Sequence, residues 1–419
     1  MSESLNASLG GRTTGSAMAP LREPLFRSLW FAAVISYTGT WMQNVGAGWL
    51  MTQLTTSPLK VALVQAATTL PVFFVILPAG ALADMVDRRR FLLITQAWMV
   101  VAAGLLGILT LLGWTTPWLL LIFTFVLGLG AVMNDPAWQA ITPEVVCAEN
   151  HAPAVALNSV GFNVARSVGP ALGGLVIAAT NSGVAFLMNA ASFFGVIFFL
   201  YRWKRPSFEH AATERMMDSL RAGLRYMRGD HIVRCVLVRT GAFSLGASSL
   251  LALLPVIARE HGATGYGLLL GAFGLGALAG AAVLPRLRNL YSVDGVVTAA
   301  TVLFSAMTFA AGQAHAFHWL ALVLFSAGIA WIAILACLNV AAQTMSPPWM
   351  RARALSMYLL VLQGGMAIGS AAWGALATKY GVPTTMLCSA AALILGLIAV
   401  RKYRLTSREL ELAPAIVRD

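Results

Sequence analysis

Charge is what this sequence has least of: Asp, Glu, Lys and Arg together make up 11% of its 419 residues, where soluble globular chains carry about a quarter. A set of ordinary soluble domains is thereby excluded. Cysteine is equally sparse. Cys147, Cys235, Cys337 and Cys388 lie far apart with no CxxC pair, a pattern that suits neither a disulfide framework nor a zinc site. There is no HExxH, no P-loop GxxxxGK[ST] and no close acidic pair within a helix, so no enzymatic chemistry, metal or cofactor is expected. Without a P-loop, ATP hydrolysis by this chain is excluded too. The first 28 residues hold no apolar run of the length a signal peptide needs, and nothing there reads as cleavable.

What the chain has is apolar length. Hydrophobic residues reach 58% and the mean hydropathy is +0.77. Runs long enough to cross a bilayer as helix fall at 29–53, 60–83, 91–113, 117–141, 154–180, 183–201, 234–258, 265–285, 294–314, 317–343, 353–378 and 383–400. These twelve spans predict an all-α membrane protein. Breakers punctuate them at Ser57-Pro58, Thr116-Pro117, Pro143, Ser182-Gly183, Pro285, Pro347-Pro348 and Gly381 to Pro383.

With the loops numbered alternately, 24 of the 28 Lys and Arg fall on the side shared by both termini. Only Lys60, Arg259 and Lys379 lie on the other side, and Arg166 lies within a span. The positive-inside rule then places both termini in the cytoplasm. The +12 net charge serves orientation, so nucleic acid is not an expected partner.

The chain repeats at an offset of about 200 residues. Gly169 to Gly174 aligns with Gly369 to Gly374, and Gln139 to Pro143 with Gln343 to Pro347, which sets Asp135 opposite Asn339. Such order predicts two parallel six-helix halves, the plan of alternating-access carriers. The expected organisation is a tail over 1–28, a first half over 29–201, a cytoplasmic linker over 202–233, a second half over 234–402 and a tail over 403–419. In the linker, Met216, Met217, Leu220, Leu224 and Met227 recur at helical spacing, with Arg215, Arg221, Arg225 and Arg228 on other faces. That fits a solvated linker helix or one docked on an anionic leaflet.

Two motifs carry a family resemblance. Gly80-Ala81-Leu82-Ala83-Asp84-Met85-Val86-Asp87-Arg88-Arg89-Arg90 resembles the G-x-L-x-D-x-x-G-R-R/K loop of the major facilitator superfamily, and Gly169-Pro170-Ala171-Leu172-Gly173-Gly174 resembles the helix-five motif of its exporters. Trp41-Met42-Gln43, Ser57-Pro58, Leu70-Pro71, Pro136 to Ala140 and Gly223 to Tyr226 are similar to the branch that holds the enterobactin exporter and macrolide efflux pumps. Asp87 departs from the usual Gly. The second-half loop, Gly280 to Arg288, lacks the Asp, and no switch role is carried onto it.

The resemblance implies that the first loop latches the halves: Gly80 admits a neighbouring helix, Asp84 accepts, Arg88 is its partner beside Arg89, and Asp135 relays. Positive-inside anchoring by the three arginines is the simpler alternative. Ionisable groups in the bilayer are costly and therefore functional candidates. Asp135 and Arg166 are the proton-coupling candidates, with a structural ion pair between them as the rival role. Pro170 among Gly169, Gly173 and Gly174 predicts a close-packed face against the other half. The superfamily's helix arrangement makes Gln43, Asn44 and Asn339 cavity candidates, with hydrogen bonding between helices as the rival. Trp41, Trp49 and Trp331 add aromatic surface for a ligand or for packing.

The expected function is secondary active export of a small amphiphilic molecule, siderophore-like or drug-like, by alternating access with proton antiport. Its partners are that small-molecule substrate, protons and membrane lipids. A lipid or lysolipid flippase of the same fold and a non-transporting carrier-like receptor are the alternatives.

Overall fold

The computed structural model describes residues 18–85, 87–203, 231–344 and 351–403, with the side chains of 76–85, Pro143, His231, Ile232 and Ala352 outside the description. Most of the expected linker, the two tails and the side chains of the first loop motif up to residue 86 therefore lie outside the described residues.

Among the described residues, twelve long helices follow one another: α1 (Pro24–Leu54), α2 (Pro58–Met85), α3 (Arg88–Leu111), α4 (Pro117–Ile141), α5 (His151–Ala179), α6 (Ser182–Arg202), α7 (His231–Ile257), α8 (Gly262–Leu290), α9 (Val293–Gln313), α10 (Phe317–Thr344), α11 (Arg351–Tyr380) and α12 (Val382–Ala399). Their starts are written locally. Pro24, Pro58 and Pro117 each stand at a first helical position, where a missing N–H costs nothing. Asp87 accepts from the N–H groups of Arg89 and Arg90 and so caps α3. Asn181 caps α6 through Val184 N, and Ser292 caps α9 through Gly295 N. The acid at position 87 thus has a local duty that Gly could not perform.

Pro285 does not end its helix, contrary to the expected boundary, for α8 runs on to Leu290. The carbonyl of Ala281 loses its usual donor, and Ala281 and Pro285 are both exposed residues that border an open groove.

Apolar side chains face outward as well as inward. On α3, Ile94, Trp98, Val101, Leu105 and Ile108 recur at helical spacing and are all exposed, a stripe that only lipid would cover. Ten stretches among the described residues are long and apolar enough to cross a membrane, the stretch 233–290 covering α7 and α8 together. The chain is an integral membrane protein.

Helices α1–α6 and α7–α12 form two halves, joined mainly where α2 packs on α11 and α5 on α8. The 200-residue repeat is visible atom by atom. A Cβ added at Gly169 would meet Trp41 and Thr38 of α1, and one at Gly369 would meet Ser248 and Leu245 of α7. A Cβ at Gly174 would meet Ala263 O of α8 at 2.7 Å, and one at Gly374 would meet Ala62 of α2 at 2.6 Å. The same two contacts, one within a half and one across halves, are therefore made twice. Within the second half, Trp331 is packed by Phe243, Phe273 and Phe304, with ring centroids 5.6, 6.0 and 5.9 Å away.

Candidate functional site

The first half contains a chamber of about 150 Å³. One face of α1 builds much of it, because Ser36, Tyr37, Thr40, Trp41 and Asn44 recur at spacings of three and four. Ala131, Asn134, Asp135 and Trp138 of α4 do the same from the other side, next to Pro136, which leaves the Val132 carbonyl without its helical donor. Gln96 and Met99 of α3, Phe162 of α5 and Phe193 and Val196 of α6 close it. Phe162 lies edge-on to Tyr37 at 5.4 Å and to Trp41 at 6.4 Å.

The polar groups are unevenly satisfied. Gln96 Nε2 donates to Asn134 Oδ1 over 3.0 Å, whereas Gln96 Oε1 and Trp138 Nε1 are buried without a partner. Asp135 is exposed at the chamber and is its one charged lining residue. Among the described residues it makes no ion pair, since the ion pairs there are Arg88–Glu144 and Arg239–Asp294.

That observation corrects two expectations. Arg166 does not pair with Asp135: its backbone instead sits against Gly274 of α8, at the inner end of the contact between halves. Among the described residues, Asp135 does not meet the arginines of the first loop either. Arg88 Nη1 donates to Glu144 Oε1 over 2.9 Å and to the Ala140 carbonyl over 3.5 Å, so the acid it meets lies nine positions beyond Asp135, past the end of α4. Arg89 reaches the carbonyls of Leu200 and Tyr201 at 2.7 and 2.6 Å, where a cation satisfies the open end of α6. The Asp84 side chain lies outside the described residues, and Gly80 is within α2.

Of the amides singled out, Asn44 lines the chamber. Gln43, one position away and about 100° around the helix, is buried and accepts from Asn189 Nδ2 of α6, which makes it a link between helices. Asn339 accepts from Gln343 Nε2 in its own helix over 2.6 Å. Trp41 lines the chamber, while Trp331 belongs to the large core cluster and Trp49 packs against that cluster's edge, partly buried. The helix-five motif serves two faces rather than one. Gly169 and Gly173 admit α1 of the same half, and Pro170 and Gly174 lie against Gly267 of α8.

The halves meet away from the chain ends. Close approaches between α5 and α8 run from Arg166 to Gly174 and from Gly274 to Ala263. At the same face, Arg259 Nη2 donates to the carbonyls of Thr52 and Thr55, both at 3.1 Å, capping the end of α1 from the other half. Leu59 N donates to Thr378 Oγ1 there too. Toward the face that bears both chain ends, Val155, Val160 and Val164 of α5 and Leu278 and Val283 of α8 are exposed. Gln96, Trp138, Tyr37, Glu144 and Arg259 escaped the sequence reading. The heptad-like spacing of Tyr37, Trp41 and Asn44 was the available signal for Tyr37, and a lone amide in an apolar helix for Gln96.

Comparison with known proteins agrees with this geometry. A family model described as transmembrane secretion effector matches residues 15–416. The multidrug efflux pump Tap of Mycolicibacterium fortuitum is 28% identical over 411 residues, covering 94% of this chain and 98% of that protein. The enterobactin exporter EntS of Escherichia coli O1:K1 / APEC is 27% identical over 410 residues, covering 91% and 94%. The solved structure of a bacterial homologue of the human lysosomal transporter Spinster, inward-facing and occupied, superposes with a TM-score of 0.73 at 13% identity, covering 92% of this chain and 97% of that one. Twelve helices among the described residues, in two repeated halves, the loop and helix-five motifs and a family match over nearly the whole length place this chain in the transmembrane secretion effector family of major facilitator transporters.

Proposed function

We propose that the protein exports a small amphiphilic molecule, siderophore-like or drug-like, across the bacterial inner membrane by alternating access coupled to proton entry. The observation that carries this reading is Asp135: a carboxylate open to a chamber in the bilayer, with no ion-pair partner among the described residues. Such a group is costly unless it faces water and works.

The chain-end face carries 24 of the 28 basic residues, which makes it cytoplasmic. The halves are joined at the opposite face, so the chamber takes cargo and gives up protons on the cytoplasmic side. Rocking about the α5–α8 and α2–α11 contacts then breaks the Arg259 clasp and turns Asp135 outward, where it takes up a proton as cargo leaves. Gly80, Asp84, Arg88, Arg89 and Glu144 latch the cytoplasmic face in that second form. Arg166, at the inner end of the contact between halves, changes its surroundings as the halves part. The export roles named for Tap and EntS support the direction and the cargo class.

The test is flux in proteoliposomes with an imposed pH gradient, using dye cations and catecholate siderophores as cargo. Wild type accumulates cargo against its gradient, and Asp135→Asn retains downhill exchange only. Accumulation by the variant would remove the coupling role from Asp135. Movement of labelled lysolipid alone, with no cargo flux, would make the protein a flippase.

A further inference from the structure

We infer that the chamber in the first half is a headgroup site for a ring-sized organic cation, an aryl-alkylammonium, held wholly by one half of the carrier; the inference deepens the export reading and rests on it. Every lining residue falls between Ala33 and Val196. A ligand here is bound by the first half alone.

Size limits what enters. A cavity of about 150 Å³ is of the volume that accommodates a benzene molecule in a protein interior, so one ring and its polar substituent fit while the rest of an amphiphile must lie in the cleft outside. Chemistry limits it further. The residues of Gln96 and Trp138 are 3% and 8% exposed, and each leaves one polar atom unpartnered: an acceptor in Gln96 Oε1 and a donor in Trp138 Nε1. Buried groups of this kind are satisfied in native proteins by something. Asp135 adds a negative charge with no cation beside it in the chamber. The aromatic rings of Tyr37, Trp41 and Phe162 line the same space, and ring faces attract cations. A protonated amine on a ring supplies the positive charge and the donors that Asp135 and Gln96 lack. A neutral phenol of the same size would leave the carboxylate uncompensated.

The test is calorimetric titration of the purified full-length protein in nanodiscs at pH 7 with 2-phenylethylammonium chloride and with 2-phenylethanol, its uncharged counterpart. A hydrogen bond to a charged group predicts a preference of about tenfold or more for the ammonium. Asp135→Asn removes that preference. Gln96→Leu weakens ammonium binding by about tenfold or more, the yield of one hydrogen bond to a charged group, whereas Trp138→Phe, whose lost N–H finds no acceptor in an ammonium, leaves it unchanged. Ala131→Trp fills the chamber and abolishes binding, with unchanged helicity and elution volume showing that the protein is folded. As a check on location, Thr40→Cys in a background lacking the other four cysteines is alkylated by N-ethylmaleimide, and the ammonium slows that reaction. Equal binding of the two probes, tighter binding of the alcohol, wild-type affinity in Gln96→Leu, or alkylation indifferent to the probe overturns the assignment. Gradient-driven flux of dye cargo separates the two readings. Flux without probe discrimination ends the chamber assignment alone, and discrimination without flux ends the export reading alone.

Discussion

Replacing Gly174 by Ala adds one methyl group where there is no room for it. The new Cβ would stand 2.7 Å from the Ala263 carbonyl oxygen and 3.0 Å from Gly267 Cα, both backbone atoms that cannot rotate away. Ordinary contacts are about 3.5 Å or longer, so α5 and α8 must separate by roughly 0.5 to 1 Å. Overpacking of this kind costs about 1–3 kcal/mol. The cost applies only to the form in which these segments touch, so the conformational equilibrium moves by about 5- to 150-fold toward the form in which they part. Double electron–electron resonance between spin labels at Leu112 and His315, exposed on the far face of the two halves, reads this as a gain of longer distances. Gly173→Ala is the control. Its Cβ would meet Met42 Cα at 2.8 Å within the same half, which lowers stability without choosing between forms. If the Gly174 variant keeps the wild-type distance distribution, or the Gly173 variant shifts it equally, the α5–α8 contact is not what closes the far face.

Three further outcomes are expected. Arg259→Gln loses the charge that caps α1 from across the halves, worth about 0.5–2 kcal/mol, and shifts the same label pair in the same direction as Gly174→Ala. Gln43→Leu leaves the Asn189 amide unpaired and lowers thermal stability by about 1–3 kcal/mol; adding Asn189→Leu restores most of it, and a double variant no better than the single one would refute the pairing. Single cysteines at Trp114 and His315 react with an impermeant thiol reagent from outside intact cells, whereas one at Arg401 reacts only after permeabilisation, and the reverse pattern would invert the proposed sidedness.

Much of the fold was legible because it depends on quantities a chain states directly. Apolar length gave the twelve helices, breakers at Pro58, Pro117 and Gly381 gave their ends, and the glycine pattern around 169–174 and 369–374 gave the repeat. Pro285 misled because a proline inside a membrane helix removes one hydrogen bond without having to end the helix, as Pro136 and Pro170 also stand within α4 and α5. The site was less legible because partners are chosen in three dimensions. Gln43 and Asn44 are neighbours of like chemistry, yet one links two helices and the other faces the chamber. Glu144, which Arg88 meets past the end of α4, carried no sign in the sequence of that role. Trp138 stands within the Pro136 to Ala140 stretch with nothing in the sequence to single it out; only its unpartnered N–H distinguishes it.

The repeat is faithful in how the halves pack and unfaithful in what they enclose. Where the first half sets Asn134 into its chamber, Leu338 occupies the corresponding region of the second half, beside Phe243 and Thr301, around a void of only about 20 Å³. That is room for one water molecule. At these matched positions, then, the first copy is open and the second is filled by packed rings. On the proposed export reading, cargo choice belongs to the chamber of the first copy, so substitutions in the Phe243, Phe304 and Trp331 cluster are expected to alter how fast cargo is turned over, measured as flux, while leaving unchanged which molecules are accepted. Selectivity would then drift through one copy while the packing of the other is kept.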